Sequence, residues 1–230
     1  MSERLPVHGF VLAGGESRRM GADKALLRFH GRRMIEIAVE KLRVFCAEVG
    51  IAGNRDDLSL YGPVVHEERK EAGPAAGIEA AMMKATQPWA LFLPVDVPLV
   101  PMELLRNWAE AVVERQKAGC AASYLLVNQE RQPAFCMMRR ECLDLVTAAL
   151  ERGERRLANI LMSIDEEGKA GALWVCDAAA FAPAGQAAKA MEFWFSNVNR
   201  PEELVEAEAW GPGRDRKLPE GMHYKKNSDE

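Results

Sequence analysis

Val7-His8-Gly9-Phe10-Val11-Leu12-Ala13-Gly14-Gly15 is the stretch on which the fold turns. Val7 to Leu12 is a short apolar run, and the two glycines close it. Such a run reads as a buried strand feeding a loop. The loop continues Glu16-Ser17-Arg18-Arg19-Met20-Gly21-Ala22-Asp23-Lys24. Gly14 and Gly15 carry no Cβ, so the backbone can turn sharply and come close to a ligand. Successive N–H groups in that kind of turn form an anion cradle. Arg18, Arg19 and Lys24 add positive charge. An Arg forks two phosphate oxygens, and a Lys acts as a compact point charge. The stretch suits a triphosphate, although a glycine turn before a basic surface loop uses the same residues. It is neither a Walker A loop nor a G-x-G-x-x-G turn.

Outward from that strand, apolar runs alternate with helical spacings. Met34, Ile35, Ala38, Val39, Leu42 and Phe45 recur with a helix period, so Met34 to Phe45 reads as an amphipathic helix. Val49 to Ala52 and Val64-Val65 read as strands, Ala75 to Lys84 as a helix and Trp89 to Val95 as a strand ending at Asp96. Pro98 and Pro101 punctuate the next turn, and Met102 to Lys117 reads as a long helix. The alternation predicts a parallel sheet wrapped by helices. Such sheets bind ligands at the carboxyl ends of their strands, where the Gly14-Gly15 loop and Asp96 both fall.

The second half is less regular. Ala121 to Val127 and Ala134 to Met138 read as strands around a turn at Asn128 to Gln132. Glu141 to Glu151 reads as a helix, Leu173 to Val175 and Phe193 to Val198 as strands, and Pro201 to Ala209 as a short acidic helix. One domain over 1–209 is expected. The remainder, 210–230, is polar with almost nothing to bury and reads as a disordered tail.

Bulk composition limits the function classes. A net charge of -4 disfavours nucleic acid as the main partner. The 5 cysteines are scattered, without a C-x-x-C pair, which argues against a zinc site or a disulfide framework and fits a reducing cytoplasm. No apolar run is long enough to span a membrane, and the first residues do not read as a signal peptide. The 4 histidines are dispersed and read as structural or surface residues.

Several segments together carry a family resemblance. Leu12-Ala13-Gly14-Gly15, Ser17-x-Arg19-Met20-Gly21 and Asp23-Lys24 resemble the signature of the molybdenum cofactor guanylyltransferases, the MobA family. Sugar-phosphate and isoprenoid-precursor transferases usually carry Pro-Lys where this chain has Asp23-Lys24. Gly73-Pro74-Ala75-Ala76-Gly77-Ile78, Leu93-Pro94-Val95-Asp96-Val97-Pro98, Gly153-Glu154-Arg155-Arg156 and Asn197-Val198-Asn199-Arg200-Pro201 follow in the family's order. The first and last motifs are specific, and the middle ones are weak singly. The resemblance implies a single-domain, Rossmann-like α/β/α fold of three layers with a mostly parallel sheet. It also implies a Mg²⁺-dependent transfer of GMP from GTP to molybdopterin. Molybdenum insertase and molybdoenzyme-specific chaperones are its implied protein partners. A cytidylyltransferase using CTP, and a non-catalytic module presenting molybdopterin, are the alternatives.

The resemblance also assigns roles. Leu12, Ala13, Gly14, Gly15 and Lys24 would bind the nucleotide, with Arg19 and Lys24 neutralising the triphosphate and the departing pyrophosphate. Asp96 would hold Mg²⁺, or it caps the helix that follows Pro101. Glu67 stands where an acidic residue meets the nucleotide. Gly73, Pro74 and Gly77 would bring a helix start close to it, or only pack that helix on the sheet. Arg155 and Arg156 would take the acceptor phosphate, or form a solvated helix end. Asn197 and Asn199, alternating on a strand, would share one face toward the pterin. Ala52 departs from the Asn that the family often carries, which bears on the choice of base. Asn54 could compensate, or it is a turn residue.

Overall fold

The structure is a computed structural model in which residues 3–14, 23–69, 73–167, 171–184, 187–198 and 201–209 are described. The central strand β1 (Leu5–Leu12) has Val7, Phe10 and Val11 fully buried, as a strand covered on both faces must. A short hairpin, β2 (Arg28–Phe29) and β3 (Arg32–Arg33), leads into α1 (Met34–Arg43). Then come β4 (Cys46–Ala52), β5 (Val64–Val65), α2 (Pro74–Lys84), β6 (Trp89–Pro94) and α3 (Met102–Arg115). The rest of the chain adds β7 (Ala122–Val127), β8 (Glu130–Arg139), α4 (Leu143–Glu151), α5 (Leu157–Glu167), β9 (Leu173–Asp177), α6 (Ala187–Trp194) and α7 (Pro201–Ala209).

The main sheet has seven strands in the order β5-β4-β1-β6-β8-β7-β9. β1 pairs in parallel with β4 and β6, β4 with β5, and β7 with β9. Only β8, among the described strands of this sheet, runs against its neighbours. The carboxyl ends of β1, β4, β5, β6 and β7 therefore share one edge. Alternating side chains divide the interior into two cores. Val7, Val11, Leu91 and Leu93 face α1 and α3. Phe10, Ala90 and Phe92 face α2, α4 and α5. This is the expected three-layer α/β/α fold with a mostly parallel sheet. Truncating a fully buried residue such as Leu91 or Ile78 to Ala would cost about 2–5 kcal/mol.

Two features of the second half differ from the sequence expectation. The run Phe193 to Val198 is not a strand. α6 occupies Ala187–Trp194, and Ser196 closes it by donating from Oγ to the Glu192 carbonyl at 2.7 Å. Met191 and Trp194 are buried on α6, and Phe195 and Val198 continue the same spacing past its end, a period that outweighs the apolar run. Asn197 is thus not a strand residue, and Asn199 lies outside the described residues. The turn between β7 and β8 is also tighter, with Asn128 and Gln129 both at positive φ and pairing resumed at Val127 and Glu130. Pro133 sits where the β7–β8 register shifts, between pairs Tyr124–Cys136 and Leu125–Gln132, so its missing N–H breaks no ladder.

No described helix is long and apolar enough to cross a membrane. The described cysteines are all buried and unpaired. The segment expected to form a tail, 210–230, lies outside the described residues.

Candidate active site

Three turns at the carboxyl edge meet at Gly14. The Ala13 N–H donates to the Ala52 carbonyl (2.9 Å), the Gly53 N–H to Val65 (2.9 Å) and the Val95 N–H to Leu12 (3.1 Å). The ends of β1, β4, β5 and β6 are thereby laced by backbone. Gly53 has φ +146, and a Cβ there would come 2.7 Å from the Gly14 nitrogen, so only glycine fits. The Asn54 side-chain oxygen accepts from the Glu67 N–H at 2.9 Å. Asn54 is thus the turn residue, and it fixes Glu67. The Glu67 carboxyl lies against both Gly14 and Gly77, and a Cβ on Gly77 would stand 3.0 Å from Oε1. Burial pushes this carboxyl above its usual range. Ala52 is buried, 3.9 Å from the same Cβ position on Gly77.

Across the edge, Lys24 Nζ stands 3.5 Å from Asp96 Oδ2. Burial raises the Asp96 carboxyl, the Lys24 charge opposes that rise, and the negative charge of Glu203 on α7 adds to it. Asp96 does not cap α3, whose N-terminal boundary residue is Pro101. Two contacts hold the Asp96 turn. The Val198 N–H donates to the Asp96 carbonyl at 2.8 Å. Lys41 Nζ on α1 donates to the Pro98 carbonyl at 2.5 Å, and burial brings the pKa of this lysine down to about 7. Phe195 packs edge-on against Phe135 in β8 (4.8 Å between centroids), seating the segment that reaches Asp96.

Leu12, Ala13, Gly14, Lys24, Glu67, Gly77 and Asp96 are all brought to this edge. Gly73 ends the preceding loop at φ +59, and Pro74 begins α2 at its first turn, so a helix N-terminus opens onto it. Gly15, Arg18, Arg19 and Asn199 lie outside the described residues. Asn197 is exposed beside Val198. Arg155 and Arg156 stand at the junction of α4 and α5, on the α2 side of the sheet. α4 begins near Pro88 and runs toward the carboxyl edge, where Glu151 comes within 3.8 Å of Arg69. There the Arg155 guanidinium donates to the Leu150 (2.8 Å) and Glu154 (3.1 Å) carbonyls and closes α4.

Sequence reasoning missed Gly53, Lys41 and Arg55. Arg55 stands three residues past the strand end at Ala52, in the turn that follows it, and that position was its available signal. Its guanidinium grips Asp23, beside Lys24, and Asp57.

A family model for the MobA-like NTP transferase domain matches residues 9–167. The chain belongs to this family. As such it is a nucleotidyltransferase. The MobA-like chain is 32% identical over 210 residues to a molybdenum cofactor guanylyltransferase of Polynucleobacter asymbioticus, covering 88% of this chain and 96% of that protein. A second such guanylyltransferase, from Vibrio vulnificus, is 32% identical over 151 residues, covering 64% of this chain and 75% of the relative. In fold it resembles the Archaeoglobus fulgidus molybdopterin-guanine dinucleotide biosynthesis protein A, at TM-score 0.67 and 23% identity, over 88% of this chain and 97% of that one. A nucleotidyl transferase of Methanothermobacter thermautotroptrophicus is similar at TM-score 0.65 and 19% identity, over 88% and 96%.

Proposed function

We propose that this protein transfers GMP from GTP to molybdopterin carrying molybdenum and releases pyrophosphate. The observation that carries the reading is the Lys24–Asp96 pair, set at one strand-end edge beside a glycine turn. The acceptor phosphate oxygen attacks the α-phosphorus, and the bond to the pyrophosphate oxygen breaks. Chemistry of this kind needs positioning and charge stabilisation, without a covalent protein intermediate.

Lys24 and Arg19 neutralise the triphosphate and then the leaving pyrophosphate. The Gly14 and Gly15 backbone approaches the phosphates, and the α2 N-terminus at Gly73 and Pro74 favours negative charge nearby. Leu12, Ala13, Glu67 and Gly77 bound the nucleoside, with Glu67 as an acceptor for base or sugar donors. Arg155 and Arg156, with Asn197 and Asn199, receive the acceptor. The Asp96 site suits Mg²⁺: a hard, partly buried carboxylate stands there at a strand end, with the Glu203 charge acting on it from α7 and the Lys24 ammonium beside it. Bound there, Mg²⁺ would neutralise phosphate oxygens. Molybdenum insertase and molybdoenzyme-specific chaperones are the protein partners that belong to this reading, and the cytoplasm is its compartment.

Purified protein supplied with Mg²⁺, molybdopterin and either GTP or CTP tests the proposal. Guanylyl transfer with GTP is the expected result. Preference for CTP would overturn the choice of base, for which Ala52 is the relevant departure. Binding of molybdopterin without turnover of either nucleotide would favour the presenting module.

A further inference from the structure

The clasp of Arg55 on Asp23 joins the turn after β4 to the residue just before Lys24. Asp23 Oδ1 accepts from the Ala25 N–H at 3.1 Å and from Arg55 Nη1 at 3.0 Å, while Arg55 Nη2 takes the other oxygen. On its far side the same guanidinium donates to Asp57, from Nε at 2.8 Å and from Nη2 at 2.7 Å. Two carboxylates thus fix the plane of one guanidinium, and they push its pKa up. The Asp23 carbonyl in turn accepts from Leu26 and Leu27, both at 3.0 Å, so the clasp holds the short helical turn that carries Lys24. From that turn the Lys24 ammonium reaches Asp96, far along the chain and on another strand end.

A half-exposed ion pair adds little to stability. A planar fork held by two carboxylates adds a fixed direction, which a lysine in its place could not supply. The neighbouring Asn54 already uses this turn to hold Glu67. One three-residue turn, Gly53-Asn54-Arg55, therefore touches Gly14, Glu67 and the base of Lys24.

We propose that Arg55 is a positioning residue that acts through Asp23 to aim the Lys24 ammonium at the phosphates. This rests on the role given above to Lys24. A misplacement of about 1 Å at such a group costs on the order of 10²-fold in rate. The experiment uses the full chain and compares wild type, Arg55→Ala, Arg55→Lys, Lys24→Ala and the Arg55→Ala/Lys24→Ala double variant. Single-variant kcat is expected to fall by about 10²-fold for Arg55→Ala and nearly as far for Arg55→Lys, with thermal unfolding close to wild type. In the Lys24→Ala background, Arg55→Ala should cost little more. Equal costs in both backgrounds would overturn the proposal.

A second arm needs no turnover. Nucleotide-free protein is labelled with trinitrobenzenesulfonate, and each lysine is followed by peptide mass spectrometry. Lys24 labelling should change severalfold in Arg55→Ala and Arg55→Lys while distant lysines keep their rates. Unchanged Lys24 labelling would overturn the proposal. If wild type itself transferred no nucleotide, the functional reading would fall, and the labelling arm would still decide whether Arg55 positions Lys24.

Discussion

Asp96 and Glu67 are carboxylates at the ends of two strands in one sheet, and both are pushed up by burial. Their surroundings differ. Asp96 has an ammonium 3.5 Å away and a second carboxylate acting on it from α7. Glu67 lies over two glycines, and burial is the cause of its shift. The first arrangement is built around charge, with a cation already in place that a ligand can exchange. The second is built around shape, with missing Cβ atoms that let a carboxyl lie against the turn after β1. On the proposed reading, the charged end of the edge meets the phosphates and the fitted end meets the base.

The largest effect is expected at the charged end. Asp96→Asn should lower transfer by about 10²–10³-fold, measured as kcat with Mg-GTP. Its melting temperature should not drop, because a charge disfavoured by burial is removed. Near-normal turnover would break the contrast. At the fitted end, Gly14→Ala pushes the Glu67 carboxyl aside, and KM for the nucleotide should rise roughly tenfold or more with a smaller change in kcat. A change confined to kcat would place Glu67 with the phosphates instead.

Lys41 sharpens the comparison through pH. Its folded pKa near 7 lies below the ordinary 10.5, so above about pH 7 the folded chain binds fewer protons at this site than the unfolded one. The cost of burying this charge is full below about pH 7, where both states are protonated, fades as pH rises toward 10.5, and is gone above that, where both states are neutral, so stability rises across the window. Lys41→Met should flatten that rise in melting curves taken across the window. The smallest effect is Glu67→Gln. The raised carboxyl destabilises the folded state as pH climbs through the carboxylate range, so the variant should melt slightly higher at neutral pH and match wild type in acid.

The parallel half of the fold was legible because each element there has one period. Met34 to Phe45 reads as a helix and folds as one over Met34–Arg43, and Trp89 to Val95 reads as a strand and folds as one over Trp89–Pro94. α5 carries the same kind of signal, with Leu157, Ile160, Leu161 and Ile164 buried at helical spacing. α6 was misread because counting from Phe193 omits Met191, the residue that reveals the period. Lys24, Asp96 and Glu67 were legible as motif residues at strand ends. The clasp of Arg55 on Asp23 was not, because its partners stand 32 residues apart and meet only when β1 and β4 lie side by side. Lys41 was hidden as well: on the sequence it is one more charge on an amphipathic helix, and only packing shows it reaching Pro98.

The hydrogen bond from Val198 to the Asp96 carbonyl sets an order of events during synthesis. Every strand of the main sheet has left the ribosome before Val198 does, so the sheet can form around an Asp96 turn that still lacks this support. A nascent chain is then a folded scaffold before it is a finished enzyme. Loss of the segment beyond β9 would take away that support and bare the core face on which Met191, Trp194 and Phe195 pack.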